Sequence, residues 1–254
     1  MHIPHNYIEK LTLFGLGQVV SPSIVACKTG SLLATANRAI VGNAVTSADL
    51  AALDQFYAGT PYVVWVSTAD TGAKAQVVQS GLSLKISYPV MGITMDRLRS
   101  KPVDEHMLVR PVASDDEIFN AWIPLIAKNY FPQLGEGEQK KYSEQFAVFI
   151  RYLQQNLPRQ DLSFYLGLID NVPVATSLFV RNSGFVGVHW VGTLPAFRNR
   201  GMGYVVTNLS LQTFKAQRVE TALLFASPSG FPVYERMGFE RLVDYEVYTR
   251  RTPA

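Results

Sequence analysis

One cysteine, Cys27, in 254 residues excludes an internal disulfide and any CxxC metal or redox motif. Four histidines, His2, His5, His106 and His189, form no HxxxH pair, so the spacing of a helical zinc site is missing and no metal is expected. Charge imbalance is small: 23 basic against 20 acidic side chains leave +3, which argues neither for nucleic acid nor for an anionic membrane surface. Apolar stretches stay short of the roughly 20 residues that span a bilayer; Leu11–Val20 is interrupted by Thr12, Gly15, Gly17 and Gln18. The start, Met1-His2-Ile3-Pro4, has no basic n-region of a secretory signal. These absences lead to an expectation of a cytoplasmic protein, where a lone thiol stays reduced.

What is present suits a buried core. Hydrophobic residues make up 48% and charged residues 17%, which excludes a disordered chain. At about 150 residues per domain the length fits one large or two small domains.

Residues 1–96 read as a small α/β unit. Ser23–Lys28 and Leu32–Val45 are β-compatible runs. Thr46 to Asp49 supply capping residues before Leu50, Leu53, Phe56 and Tyr57, which share one helix face. Pro61–Val66 predicts a buried strand, Gly72–Ser80 a helix, and Leu82–Met95 an extended return. Residues 97–105, charged and holding Pro102, read as a linker.

Residues 106–254 repeat and enlarge the pattern. A strand at His106–Val112 leads to a helix from Ser114 to Tyr130, with Pro124 expected to kink it, and a second helix covers Glu136–Asn156. Leu162–Ile169 and Val172–Arg181 form a hairpin around Asp170-Asn171. A strand at Phe185–Val191, a helix at Gly201–Gln217, a strand at Thr221–Ala226, a short helix at Ser229–Met237 and a strand at Phe239–Tyr248 complete the order. The class is α/β in the α+β sense, and the first unit reads as a shortened repeat of the second.

Chemistry concentrates in Val188–Tyr204, VHWVGTLPAFRNRGMGY. A strand passes through a basic, glycine-containing turn into a helix N-terminus. The first turn of a helix carries unpaired N–H groups and about half a positive charge. Gly201 and Gly203 remove side chains where a phosphate would approach, and Arg198 and Arg200 add charge. No GxxxxGK[ST] motif occurs, and neither Gly15-Leu16-Gly17 nor Gly201-Met202-Gly203 continues into a dinucleotide fingerprint.

R-x-x-G-x-G between strand and helix, followed by Leu223–Ala226 and then Tyr234-Glu235-Arg236-Met237-Gly238-Phe239, resembles the GNAT superfamily of N-acetyltransferases. The resemblance covers Leu108–Tyr248. It implies an acyl-CoA N-acyltransferase fold with a mixed, mostly antiparallel central sheet flanked by helices, here in tandem with a degenerate first repeat. That repeat has no RxxGxG loop and is not expected to hold the cofactor. Acetyl-CoA is implied as co-substrate, and an amine of a small molecule or protein as acceptor.

Residue by residue, the resemblance implies that Val191, Gly192 and Thr193 offer main-chain groups to the pantetheine arm and acetyl carbonyl. Asn199, Arg200, Gly201, Met202, Gly203 and Tyr204 would wrap the pyrophosphate, with Arg198 and Arg200 as flanking charge. Asn199 stands where glycine is commonest, and asparagine tolerates left-handed backbone angles. The asparagine often found after the strand ending at Ala226 is replaced, with Ser227 or Ser229 as the substitute donor. Tyr234 would sit near the cofactor sulfur.

Acetyl transfer needs a neutral amine, a polarised thioester and a protonated leaving group. A lysine-like amine has a pKa of about 10.4, so a base is required. His189, on the strand before the loop, is the candidate base, and strand alternation places it on the face of Val191, opposite Trp190. A main-chain N–H at Val191–Thr193 is the candidate oxyanion donor and Tyr234 the candidate acid. Glu136 and Glu138 lie in a glycine-broken segment that could line the acceptor side. Two other functions fit the same motifs: a non-catalytic coenzyme A-binding module, and an acyltransferase with a longer acyl donor. The oligomeric state is not written in the sequence.

Overall fold

Asn37 shows how the sequence builds its irregular stretches. In a computed structural model that describes residues 4–250, the Asn37 side chain is fully buried. Its Oδ1 accepts from the main-chain N–H of Thr29 at 2.9 Å, and its Nδ2 donates to the carbonyls of Ser31 (2.7 Å) and Pro61 (2.9 Å). One amide thus satisfies main-chain groups of two loops, the β2–β3 connection and the one before β4. The run expected as extended over Leu32–Val45 is therefore a turn, a short 3-10 segment and only four strand residues.

The elements in chain order are α1 (His5–Leu13), β1 (Gln18–Ser21), β2 (Ile24–Cys27), β3 (Arg38–Val41), α2 (Ser47–Tyr57), β4 (Val63–Ser67), α3 (Thr71–Gln79) and β5 (Leu82–Thr94). Then come β6 (Met107–Pro111), α4 (Asp115–Glu117), α5 (Ile123–Tyr130), α6 (Glu136–Asn156), β7 (Leu162–Ile169) and β8 (Val172–Asn182). The chain closes with β9 (Phe185–Thr193), α7 (Met202–Ala216), β10 (Thr221–Phe225), α8 (Phe231–Met237) and β11 (Glu240–Arg250). Two compact units result: one runs from Met91 to Glu240, and the other takes the chain up to Val90 together with Arg241 onward.

In the unit built from both ends of the chain, β1, β2 and β3 pair antiparallel in turn, and β3 runs parallel to β4. Helix α2 makes that crossover. β4 (VVWVS) has four consecutive buried residues, the pattern of a strand enclosed on both faces. Its second neighbour is β11, antiparallel from Tyr245↔Ser67 to Thr249↔Val63. The last strand therefore belongs with the first half of the chain, whereas the sequence boundaries at 96 and 106 assign it to the second. Pairing partners at such separation leave no local trace. Leu53, Tyr57, Val64 and Tyr248 are buried together in this core, and Tyr57 stacks on Tyr62 at 4.3 Å.

In the Met91–Glu240 unit, β6, β7, β8 and β9 are antiparallel neighbours, and β9 runs parallel to β10. α7 covers one face, burying Met202, Val205, Val206 and Leu211 with Phe179, Val186 and Val188. Across the other face Trp190 packs against Phe146 and Phe149 of α6, at ring separations of 5.2 and 5.0 Å. Pro124 lies inside a continuous helical run, because α4 passes into α5 through right-handed helical backbone at Ile118, Trp122 and Ile123, and an interior proline has no N–H to give the ladder. The irregularity precedes it, as a π turn over Ile118–Trp122.

The stretch expected as a linker is laid along α7. The carbonyl of Arg99 accepts from Tyr204 Oη at 2.5 Å and from Asn208 Nδ2 at 2.8 Å, and its N–H donates to the carbonyl of Met237 at 3.0 Å. Leu98 and Val103 pack onto the core of this unit. Among the described residues no helix is long and apolar enough to cross a membrane.

Candidate functional site

The end of β9 departs from a regular strand. β8 and β9 pair at Leu178↔His189 and again at Thr176↔Gly192, so β9 carries one extra residue between them. Trp190 absorbs it with a left-handed φ of 44°, a β-bulge. The bulge overturns the expected alternation. His189 and Trp190 lie with ring centroids 5.8 Å apart, whereas Val191 packs into the core on the α7 side. On the other edge, the parallel ladder with β10 runs from Ala222↔Val186 to Leu224↔Val188, while β9 continues to Thr193. The two strands part company there, and Val191, Gly192 and Thr193 line the opening.

Side chains clasp this stretch in sequence. Thr176 Oγ1 donates to the carbonyl of Trp190 (3.2 Å), Tyr130 Oη to that of Val191 (3.0 Å) and Arg198 Nε to that of Thr193 (3.0 Å). Arg198 also donates from Nη2 to the carbonyl of Asn129, at 2.6 Å. Two donors of its guanidinium are thus committed to main chain, and Arg198 acts as a brace between β9 and the end of α5. A Cβ on Gly192 would stand 3.0 Å from Asn129 Cβ and 3.0 Å from Tyr130 Cε2. No side chain fits between strand and helix at that point.

The turn into α7 uses left-handed backbone twice, at Asn199 (φ 62°) and Gly201 (φ 89°). Gly201 is the N-cap residue and no side chain caps this helix. The first helical bond runs from Val205 N–H to the carbonyl of Gly201 at 3.0 Å, so the amides of Met202, Gly203 and Tyr204 face out of the helix end. Arg200 is exposed and lies over the Phe197 ring at 5.7 Å. A second cation comes from a residue the sequence reading passed over: Lys101 Nζ lies 4.5 Å from the Tyr204 ring centroid and 3.8 Å from a Cβ built on Gly201.

The corresponding helix of the other unit is built differently. Thr46 Oγ1 accepts from Asp49 N–H (3.2 Å), and Asp49 Oδ2 accepts from Thr46 N–H (2.9 Å). The α2 end is closed by a capping box and holds a carboxylate where α7 is open and flanked by cations.

Tyr234 lies on α8, buried, with its ring 5.8 Å from Phe239. Burial pushes its phenol well above the ordinary tyrosine range, so it is protonated at neutral pH. The carbonyl of Ser227 accepts from the N–H groups of Gly230 and Phe231 at the start of α8, and its exposed hydroxyl also accepts from Gly230 N–H at 3.1 Å. The structure brings Val191–Thr193, Asn199–Tyr204, Arg198 and Tyr234 into one unit. His189 is buried beside Trp190 on the α6 side. Glu136 and Glu138 lie in the first turn of α6, Glu138 with its carboxylate on the N–H of Gly135 (3.3 Å). Among the described residues no group of three His, Cys, Asp or Glu side chains could hold a metal ion.

No protein-family model and no curated protein sequence matches the chain. Solved structures do. A GCN5-related N-acetyltransferase from Kribbella flavida is similar over 97% of this chain and 95% of its own, with TM-score 0.69 and 20% identity. A conserved protein of unknown function from Staphylococcus epidermidis is similar over 97% and 98%, with TM-score 0.68 and 12% identity. A tandem GNAT protein from the clavulanic acid biosynthesis pathway is similar over 85% and 76%, with TM-score 0.55 and 10% identity. The chain therefore has the fold of the GCN5-related N-acetyltransferases, a mixed and mostly antiparallel sheet flanked by helices.

Proposed function

We propose that the Met91–Glu240 unit transfers an acetyl group from acetyl-CoA to a primary amine of a small molecule or protein. The observation that carries this reading is the contrast between the two helix ends. α7 opens with bare amides, a left-handed glycine and two flanking cations directly after a strand that runs on past its ladder with β10, whereas α2 opens with a capping box and a carboxylate. A diphosphate fits the first and is repelled by the second. The chain is accordingly a tandem in which one half keeps the anion site and the other has lost it.

In this proposal the amides of Met202, Gly203 and Tyr204 hold the diphosphate, with Asn199 and Gly201 shaping the turn and Arg200 and Lys101 adding charge. The edge of Val191–Thr193 takes the pantetheine arm as an added strand. Ser227, exposed at the start of α8, completes that side. The amine nitrogen attacks the thioester carbon, a C–N bond forms and the C–S bond breaks. A main-chain N–H at the bulge stabilises the oxyanion. Tyr234, a phenol and so protonated at neutral pH, delivers a proton to the departing sulfur. His189, on the α6 side, accepts the proton that the amine gives up. The lone buried thiol of Cys27 suits a cytoplasmic setting.

Titration calorimetry with acetyl-CoA, CoA and pantetheine tests the site, and release of free thiol against a panel of amines tests the transfer. Gly203→Leu should abolish binding of both phosphate-bearing ligands. Wild-type protein that binds no CoA thioester overturns the proposal.

A further inference from the structure

The bulge in β9 is held by an inner hydroxyl. Thr176 is fully buried on β8, donates from Oγ1 to the carbonyl of Trp190 at 3.2 Å, and accepts from Asn129 Nδ2 at 3.4 Å. Asn129 is itself buried and comes from the end of α5, so Thr176 faces the α5 side of the sheet. Trp190 is the extra residue of the bulge and has a left-handed φ of 44°.

A trans peptide fixes the rest. The C=O of Trp190 and the N–H of Val191 belong to one planar group and point in opposite directions. A hydroxyl that holds this carbonyl toward α5 directs the Val191 N–H toward the other face, where α7 and α8 pack, where the partly buried Val191 side chain lies against the core and where Tyr234 is buried. We infer that Thr176 is a positioning residue for acyl transfer: its hydroxyl locks the Trp190–Val191 peptide so that the Val191 N–H is the hydrogen-bond donor to the thioester carbonyl.

This inference rests on the acetyl-CoA reading and adds to it which N–H polarises the carbonyl and what holds it. Asn129 stands behind Thr176 and fixes the rotamer from which the hydroxyl donates. Without that hydroxyl the peptide loses its anchor on the α5 side and can rotate, while the diphosphate cradle at α7 is untouched. The effect therefore falls on turnover and not on donor affinity.

Thr176→Val keeps the shape and removes the hydroxyl; Thr176→Ser keeps the hydroxyl. Losing an oxyanion donor outright costs about 10²–10³-fold in kcat, and a misaimed one is expected to cost about 10- to 100-fold. KM for acetyl-CoA should stay within about 2-fold, and the serine variant should recover kcat to within about 3-fold. Isotope-edited infrared spectra of bound acetyl-CoA give a readout independent of turnover. The thioester carbonyl band should shift to lower frequency on wild-type and Thr176→Ser protein, and lie near its free position on Thr176→Val. If the valine variant does not fold, Thr176→Ala provides the same comparison. A valine variant with wild-type kcat and an unchanged band overturns the role of Thr176 alone. Wild-type protein that binds no acetyl-CoA overturns the acetyl-CoA reading and this inference with it.

Discussion

The ammonium nitrogen of Lys101 lies 4.5 Å from the centre of the Tyr204 ring, and Tyr204 is itself tied by its hydroxyl to the carbonyl of Arg99. Two consecutive anchors thus pin a flexible side chain over the first turn of α7. A ring face attracts the cation electrostatically and leaves its N–H groups to a ligand. Lys101→Gln should weaken CoA by about 3- to 10-fold at low salt and by less at high salt, since exposed charges are screened. Pantetheine, which has no phosphate, should bind both proteins alike. Calorimetry at two ionic strengths checks this, and equal CoA affinity for both proteins sinks it.

Tyr234→Phe removes a proton donor and keeps the ring. Turnover at saturating acetyl-CoA should drop, by an amount within or below the roughly 10²–10⁴-fold span of general acids, and the binding constant for CoA should hardly change. His189→Gln should instead alter the acid limb of the pH–rate profile for the amine. Steady-state kinetics over pH separates the two roles; unchanged turnover in Tyr234→Phe refutes the first.

Alkaline pH should destabilise the fold. Burial raises the phenols of Tyr57, Tyr62 and Tyr234, and pushes Tyr245 up to about 12. Between about pH 10, where an unfolded tyrosine ionises, and these raised values, the folded chain holds protons that the unfolded chain has released. Stability is therefore at its full value below about pH 10 and falls as pH climbs beyond it. Urea unfolding at stepped pH, followed by phenolate absorbance, should show tyrosines ionising together with unfolding. A constant midpoint from about pH 8 to 11.5 contradicts this.

Gly238 has φ 102°, and a Cβ there would stand 2.8 Å from the carbonyl oxygen of Arg97. Gly238→Ala should destabilise by about 1–3 kcal/mol from left-handed strain and overlap with main chain. A lower thermal midpoint is expected; an unchanged midpoint contradicts the argument.

Much of this was readable from residues. The strand, basic turn and helix from Val188 to Gln217 are local, because glycine position, capping and apolar spacing act over a few residues. Asn199 takes the left-handed angle that its side chain tolerates. What escaped depended on distance. Nothing near Trp190 announces an extra residue, since a bulge is defined by the strand opposite. Asn129 and Tyr130 end a helix and carry no motif, yet they brace β9 more than sixty positions later. Lys101 read as part of a charged spacer because its partner, Tyr204, is a tertiary neighbour. α1 went unread because Phe14, Gly15 and Gly17 close it after little more than two turns.

The pairing of β4 with β11 has a consequence for biosynthesis. Translation delivers β4 early, but its antiparallel neighbour emerges only after the whole Met91–Glu240 unit has been made. The amino-terminal half must wait on the ribosome with an unsatisfied apolar edge, and a chain stopped before Arg241 never closes it. Such a truncation leaves β4 with an unpaired strand edge, a template for pairing with another chain.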